Sequence, residues 1–225
     1  MNDSRLTSLS TPCLLVDEAR FSRNIERLQQ HADTLGVVLR PHLKTTKCVE
    51  AARCVLADGN GPATVSTLAE AEVFAAAGIN DILYGVGISA DKLDRVIALH
   101  RAGCNLTVLL DCAEQAEAVA AASRASGIAI PALVEIDSDG HRSGLTANDP
   151  ALIAVGQILQ DGGAALRGVL CHAGGSYGSV GRAAHAKLAE EERLAVVDAA
   201  AVLRAANLPC PVVSVGSSPT AHAAK

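Results

Sequence analysis

Short apolar runs rich in β-branched residues alternate along this chain with longer, Ala-rich segments of helical composition. Four of the helical segments finish at a glycine, at positions 36, 78, 103 and 127, which is typical of a helix C-terminus. The alternation predicts βαβ units and a parallel sheet that is covered on both faces. The apolar runs are TPCLLVD (11–17), VVLRPH (37–42), ATVST (63–67), DILYGV (81–86), NLTVLLD (105–111), PALVEID (131–137), LRGVLCHA (166–173) and PVVSVG (211–216).

Such a chain can form a doubly wound open sheet or a (β/α)8 barrel. An open sheet concentrates its functional groups at one switch point, whereas here polar side chains follow most of the strands, as at His42, Ser66, Asp111 and His172. GVGIS at 85–89 is only a fragment of a dinucleotide fingerprint, and no nicotinamide site is predicted. The expected fold is therefore α/β, a TIM-type barrel. It is expected to be incomplete, with seven strands if the run 11–17 is left out, and truncated before its last strand.

Composition excludes several classes of partner. A net charge of -5 and an aromatic content of 2% without Trp argue against nucleic acid and against anionic membrane surfaces. The N-terminus lacks an apolar run of signal-peptide length, and a cytoplasmic protein is expected. The seven cysteines form no CxxC pair and no Cys/His ligand spacing, which predicts buried thiols rather than disulfides or a structural zinc site.

A cluster of cations in RPHLKTTK (40–47) comes directly after the first predicted barrel strand. Lys44 would lie in the barrel mouth, where partial desolvation and neighbouring cations favour the neutral amine that Schiff-base chemistry needs. His42 precedes it in the same expected site. A turn rich in glycine and hydroxyl groups, VGSSPT (215–220), follows the last strand and opens a helix whose free N–H groups could hold a phosphate. An amine and a phosphate cup together are what pyridoxal phosphate requires.

Two further motifs extend this expected site. In VEIDSDGHRSGL, Arg142 could place a cation against the cofactor ring or against a substrate carboxylate. In CHAGGSYGS, His172 could stack on the cofactor ring and Tyr177 could offer its hydroxyl to the same pocket.

RPHLKTTK, STLAEAE, VEIDSDGHRSG, CHAGGSYG and VGSSPT, in that order, resemble the fold-type III pyridoxal phosphate enzymes, specifically the D-serine dehydratase and D-threonine aldolase group. The resemblance covers nearly the whole chain. It implies that Lys44 carries the internal aldimine and that the phosphate is bound by Gly216, Ser217, Ser218 and Thr220. It also implies a barrel of the alanine racemase N-terminal type over 18–225, and an N-terminal strand, 1–17, that would join a β domain not present here.

The sequence departs from the group at two positions and in length. Thr46 and Gly175 stand where a histidine is common. Family members continue into a C-terminal β domain that completes the site and supplies metal ligands. A divalent metal, zinc or manganese, is therefore expected in full-length relatives, and no metal ligand is assigned in this chain. A homodimer is expected for the full-length protein.

The resemblance implies a pyridoxal phosphate lyase for a D-3-hydroxy amino acid, with D-serine dehydration favoured and D-threonine aldol cleavage close behind. Lys44 and Tyr177 are the expected catalytic residues. Two alternatives remain: an amino-acid racemase of the same fold, whose characteristic lysine motifs are absent, and a non-catalytic protein that binds pyridoxal phosphate for cofactor homeostasis.

Overall fold

The computed structural model describes residues 6–225. The chain divides into two compact units, one ending at Val38 and the other comprising Leu39–Lys225. In the first unit, helix α1 (Glu18–Leu35) begins where the Asp17 carboxylate accepts a hydrogen bond from the Arg20 N–H, 3.0 Å away. It ends at Gly36 in the left-handed conformation, with φ 66°, as the glycine predicted. The expected strand within 1–17 is not formed over residues 6–17, and residues 1–5 lie outside the described part of the chain.

The second unit is built on a single parallel sheet whose strands are paired in their order along the chain. A doubly wound sheet would reverse direction at a switch point, so the sequential order confirms the barrel type of fold. The strands are β1 (Ala63–Val65), β2 (Asp81–Gly87), β3 (Asn105–Leu110), β4 (Pro131–Ile136), β5 (Ala165–Cys171) and β6 (Val212–Val215).

Helices connect successive strands and cover one face of the sheet. The apolar core lies between these helices and the sheet, with fully buried Ile82, Val108 and Val134 from the central strands. A separate small cluster of Leu83, Leu109 and Leu133 lies on the opposite face, as the layered interior of a barrel requires. The helices are α2 (Val49–Val55), α3 (Leu68–Ala76), α4 (Leu93–Arg101), α5 (Ala113–Ser126), α6 (Ala151–Asp161), α7 (Arg182–Ala205) and α8 (Ser218–Ala223).

The predicted strand 37–42 is wrong in extent. Only one bridge forms, between His42 and Thr64. The Thr64 N–H donates to the Pro41 carbonyl at 2.8 Å, and the Leu43 N–H donates to the Thr64 carbonyl at 2.9 Å. Pro41 has no N–H to donate, and this limits the ladder to these two bonds. The described sheet therefore has six strands where seven were expected.

Gly168 causes an irregularity in β5 that brings β6 close. Ala132 pairs with Leu166 and Leu133 pairs with Gly168, so one residue of β5 is skipped. Gly168 has φ 131°, and a Cβ on it would overlap the Val212 carbonyl oxygen. Only glycine can occupy this position without displacing the neighbouring strand.

Three of the seven free cysteines are buried, namely Cys104, Cys171 and Cys210. The expectation of buried thiols is wrong for the other four, which lie in loops or on exposed helix surfaces or are only partly covered. Within residues 6–225, none of the helices is both long enough and apolar enough to cross a membrane.

Candidate functional site

Four of the predicted site residues come together at the carboxyl ends of the strands. His42 ends the bridge beside β1, Lys44 follows it, Arg142 follows β4 and His172 follows β5. The Lys44 N–H donates to Nδ1 of His42 at 3.3 Å, and β4 and β5, which Arg142 and His172 follow, are neighbours in the sheet. Lys44, His172 and Arg142 each lower the pKa of His42.

Lys44 lies in the turn that follows the bridge, and its side chain is exposed. The sequence predicted a partly desolvated amine, and the structure differs because the chain leaves the sheet at Leu43. Leu43 is buried, and the next residue is carried outward. The position of Lys44 is set through its backbone, since its N–H donates to Nδ1 of His42 at 3.3 Å.

His42 is held as a neutral imidazole. Because Nδ1 accepts from the Lys44 N–H, the proton is assigned to Nε2, which lies 3.2 Å from the Ser66 hydroxyl oxygen. Burial, and next to it the Lys44 charge, lower the pKa of His42 to about 4. Glu70 acts in the opposite direction but does not compensate.

The other two cations of RPHLKTTK have structural partners. Arg40 donates to Asp81 at the start of β2, with Nη1 and Oδ1 2.9 Å apart, and to the Ala63 carbonyl. Nζ of Lys47 lies 3.1 Å from a carboxylate oxygen of Glu70, which belongs to the capping box that begins α3. Of the four basic side chains of this segment, His42 and Lys44 are therefore the two assigned to the site.

Arg142 rests on a buried carboxylate. Its Nε donates to Oε1 of Glu135 at 3.4 Å, and the Ser143 hydroxyl donates to Oε2 at 2.9 Å. Burial raises the pKa of Glu135, and Ser143 and Arg142 counteract this. The Arg142 side chain remains 40% exposed, so the guanidinium is anchored at one end and open to a ligand at the other.

The His172 ring is fixed by a carbonyl group on the neighbouring loop. Its Nδ1 lies 2.6 Å from the Gly216 oxygen, and it must carry the proton because the partner can only accept. Burial lowers the pKa of His172, and Nε2 is left as an acceptor in the neutral ring. Tyr177 is 58% exposed, with its ring centroid 6.0 Å from that of His172.

The predicted phosphate turn is largely satisfied by its own hydroxyl groups. The Ser217 N–H donates to the Thr220 hydroxyl at 3.0 Å, and the Thr220 N–H donates to the Ser217 hydroxyl at 3.2 Å. Both residues are buried, and this capping box begins α8. Ser218 is exposed. No atom approaches within 4 Å of the position that a Cβ on Gly216 would occupy.

Sequence reasoning missed Glu192, a carboxylate of α7 that is 1% exposed. Its Oε1 accepts the N–H groups of Ala173 at 2.8 Å and of Gly216 at 3.1 Å. Burial raises the pKa of Glu192. The signal was an acidic residue in the buried stripe of α7, between Ala189 and Val196.

Gly175 is fixed by the loop after β4. Its N–H donates to Asp139 at 2.8 Å, and a Cβ at this position would lie 2.9 Å from Asp139 Oδ2 and 3.3 Å from Nδ1 of His141. A larger residue at 175 would have to displace these groups. Within the described residues, no three His, Cys, Asp or Glu side chains lie together as metal ligands.

The chain is similar to several known proteins. A family model described as the alanine racemase N-terminal domain matches residues 16–225. D-threo-3-hydroxyaspartate dehydratase of Delftia sp. (strain HT23) is 52% identical over 225 residues, which is 100% of this chain and 59% of that protein. D-serine dehydratase of Schizosaccharomyces pombe is 33% identical over 233 residues, covering 96% of this chain and 55% of that protein.

The solved structures agree. A mutant of D-threo-3-hydroxyaspartate dehydratase, solved in the metal-free form, superposes with a TM-score of 0.95 at 51% identity, over 98% of this chain and 58% of that chain. This chain thus spans less than two thirds of the length of these relatives. The match over residues 16–225 confirms the resemblance found in the five motifs, and the chain belongs to the family of the alanine racemase N-terminal domain.

Proposed function

We propose that this chain is the cofactor-binding part of a pyridoxal phosphate lyase that dehydrates D-3-hydroxy amino acids. The observation that carries the proposal is the position of Lys44, His42, Arg142 and His172, all of which lie at or after the carboxyl ends of strands of one parallel sheet. The reaction type is supported by the 52% identity to a D-threo-3-hydroxyaspartate dehydratase. D-Serine, favoured by the DGHRSG motif, is the second substrate to test.

The residues present fit the cofactor. An exposed lysine amine is accessible to an aldehyde, and His42 and His172 offer imidazole rings beside it. Open space above Gly216 and the exposed Ser218 leave room for a phosphate at the turn 216–220. The Ser217 and Thr220 hydroxyls are used within the turn, and the Gly216 N–H already donates to Glu192. We therefore assign phosphate contact chiefly to Ser218, with Gly216 contributing space rather than a hydrogen bond.

When bound, pyridoxal phosphate withdraws electrons from the bonds to the substrate Cα. Lys44 would have two roles: its Nζ would hold the cofactor aldehyde, and the same amine would take the proton from the substrate Cα. His42 keeps the Lys44 backbone in place from its neutral Nδ1. Because the His42 ring is neutral, it adds no positive charge to those of Lys44 and Arg142, which both lower its pKa.

Arg142 and Tyr177 are assigned to the substrate side of the site. The guanidinium, anchored by Glu135, can bind a carboxylate of the substrate or an acceptor on the cofactor ring. Tyr177 presents its hydroxyl from an exposed position beside His172. Departure of the β-hydroxyl would need a Lewis acid such as zinc or manganese. Among the residues that the structure describes, no three His, Cys, Asp or Glu side chains lie together to hold one.

Turnover tests the reaction type. The protein, supplied with pyridoxal phosphate and Zn²⁺ or Mn²⁺, is expected to convert D-threo-3-hydroxyaspartate or D-serine into ammonia and the corresponding 2-oxo acid. Lys44→Ala should abolish the reaction, whereas Lys47→Ala should retain it, because Lys47 is paired with Glu70. Glycine and an aldehyde as products would identify an aldolase instead, and inversion at Cα without ammonia release would identify a racemase.

A further inference from the structure

Glu192 connects the two loops that carry the predicted cofactor ligands. It projects from α7, and one of its oxygens accepts an N–H from Ala173, after β5, and another from Gly216, after β6. The side chain of Thr220 also counteracts the rise in the pKa of this carboxylate. One buried group therefore holds the start of both loops.

The same carboxylate fixes His172 from two directions. Ala173 is the next residue in the chain, and its N–H is held by Glu192. Gly216, held by Glu192 through its N–H, accepts a hydrogen bond from Nδ1 of His172 through its carbonyl. The orientation and the tautomer of His172 thus depend on where Glu192 places Gly216.

A carboxylate is a costly choice for packing alone. Glu192 is 1% exposed, and an apolar side chain would fill the same space without the desolvation cost of a charged group. Its polar atoms are needed because two backbone N–H groups would otherwise be buried without acceptors.

We propose that Glu192 is a positioning residue that holds His172 in its Nδ1–H tautomer and fixes the turn 216–220 for the cofactor phosphate. The expected effect on cofactor affinity rests on the proposed function. The tautomer of His172, in contrast, can be measured without any cofactor. Glu192 acts because its side chain is long enough to place an acceptor oxygen at both N–H groups, rather than through its charge.

Two substitutions of Glu192 separate the effect of side-chain length from the effect of charge. Glu192→Gln keeps an acceptor oxygen at the same distance and removes the charge, whereas Glu192→Asp keeps the charge and shortens the side chain by one methylene. Glu191→Gln is the matched control, since Glu191 is the neighbouring residue, is 43% exposed and pairs with Lys187. His172→Gln assigns the signal of this ring in imidazole 15N NMR spectra.

In the wild type, His172 should show the proton on Nδ1 at neutral pH, and Glu192→Gln should preserve it. In Glu192→Asp the tautomer signal should shift or average, and pyridoxal phosphate, titrated by absorbance, should bind about tenfold more weakly, against about threefold or less for Glu192→Gln. A wild-type His172 protonated on Nε2, or a Glu192→Asp protein with wild-type tautomer and affinity, would overturn the proposal. If the wild type binds no pyridoxal phosphate, the proposed function fails, and the tautomer comparison still decides the role of Glu192.

Discussion

At the scale of single residues, the site consists of two neutral imidazoles beside two cations. Burial lowers the pKa of both His42 and His172, and the Lys44 and Arg142 charges act in the same direction. Both nitrogens of His42 are bound to the protein, Nδ1 to the Lys44 N–H and Nε2 to the Ser66 hydroxyl, whereas His172 is bound through Nδ1 to the Gly216 carbonyl. A ring that stays neutral near pH 7 can contact a cofactor without adding charge to it.

We expect His42 to titrate with a pKa of about 4 in 1H–15N NMR spectra of the imidazole groups. A histidine whose pKa is lowered in the folded state contributes stability at pH values above its unfolded pKa of 6.5. This contribution is lost as the pH falls from 6.5 toward 4, because the unfolded chain then binds the proton more readily than the folded one. The urea midpoint of the wild type should therefore fall, relative to His42→Gln, as the pH is lowered through this range. A His42 pKa near 6.5 would contradict this account of the site.

Arg142→Ala should destabilise the protein more at pH 8 than at pH 5. The folded-state pKa of Glu135 is already raised by burial, and removal of its cation should raise it further. A carboxyl group with a raised pKa loses its stabilising contribution as the pH rises through that value, so the cost appears on the alkaline side. Urea unfolding of the wild type and of Arg142→Ala at pH 5 and pH 8 measures the loss in the free energy of unfolding at each pH. Arg193→Ala, which breaks an exposed pair with Glu190, should show little difference between them.

At the scale of elements, short connections at the strand ends hold the site loops. The loop after β4 returns to the sheet, since the Leu145 N–H donates to the Glu135 carbonyl and the Gly144 N–H donates to Asp111 at 2.9 Å. The loops after β5 and β6 are joined through Ser176 and Ser217, whose hydroxyl oxygens are 2.7 Å apart. The site is thus formed by loops that are bonded to one another as well as to their strands.

Gly168→Ala should weaken this arrangement from a distance. The added Cβ would overlap the Val212 carbonyl, and φ at this position is 131°, so β6 has to move away from β5. We expect a loss of about 2 to 4 kcal/mol in the free energy of unfolding, measured with urea. Gly178→Ala is the control, because nothing lies within 4 Å of its added Cβ, and it should change stability little. Equal stability of the two variants would contradict the close approach of β5 and β6.

At the scale of the whole molecule, sequential strand order gathers the functional loops at one end of the sheet. Much of this was readable in advance: the strands at 63–67, 81–86 and 131–137 and the glycine at the end of α1 lie where the pattern predicted them. The extent of the strand at 37–42 was not predicted correctly. Its β-branched residues favour a strand, but Pro41 lacks an N–H for the ladder, and only the bridge between His42 and Thr64 forms.

The side-chain network of the site was less predictable. Ser217 and Thr220 look like phosphate ligands in a glycine- and serine-rich turn, but their hydroxyls cap α8. Glu192 lies 24 residues before Gly216, whose N–H it accepts, and only the packing of α7 near the end of β6 reveals this partner. Tertiary contacts of this kind leave a weak trace in sequence, here an acidic residue within a buried helical stripe.

The central claim is that Lys44 is the covalent anchor for pyridoxal phosphate. The direct measurement is the absorbance spectrum of the chain with added cofactor, followed by borohydride reduction and mass spectrometry of the labelled peptide. The wild type and Lys47→Ala should acquire the visible absorbance of a cofactor bound through lysine, with the label on Lys44, and Lys44→Ala should acquire neither. A label on another lysine, or an unchanged spectrum in Lys44→Ala, would contradict the account.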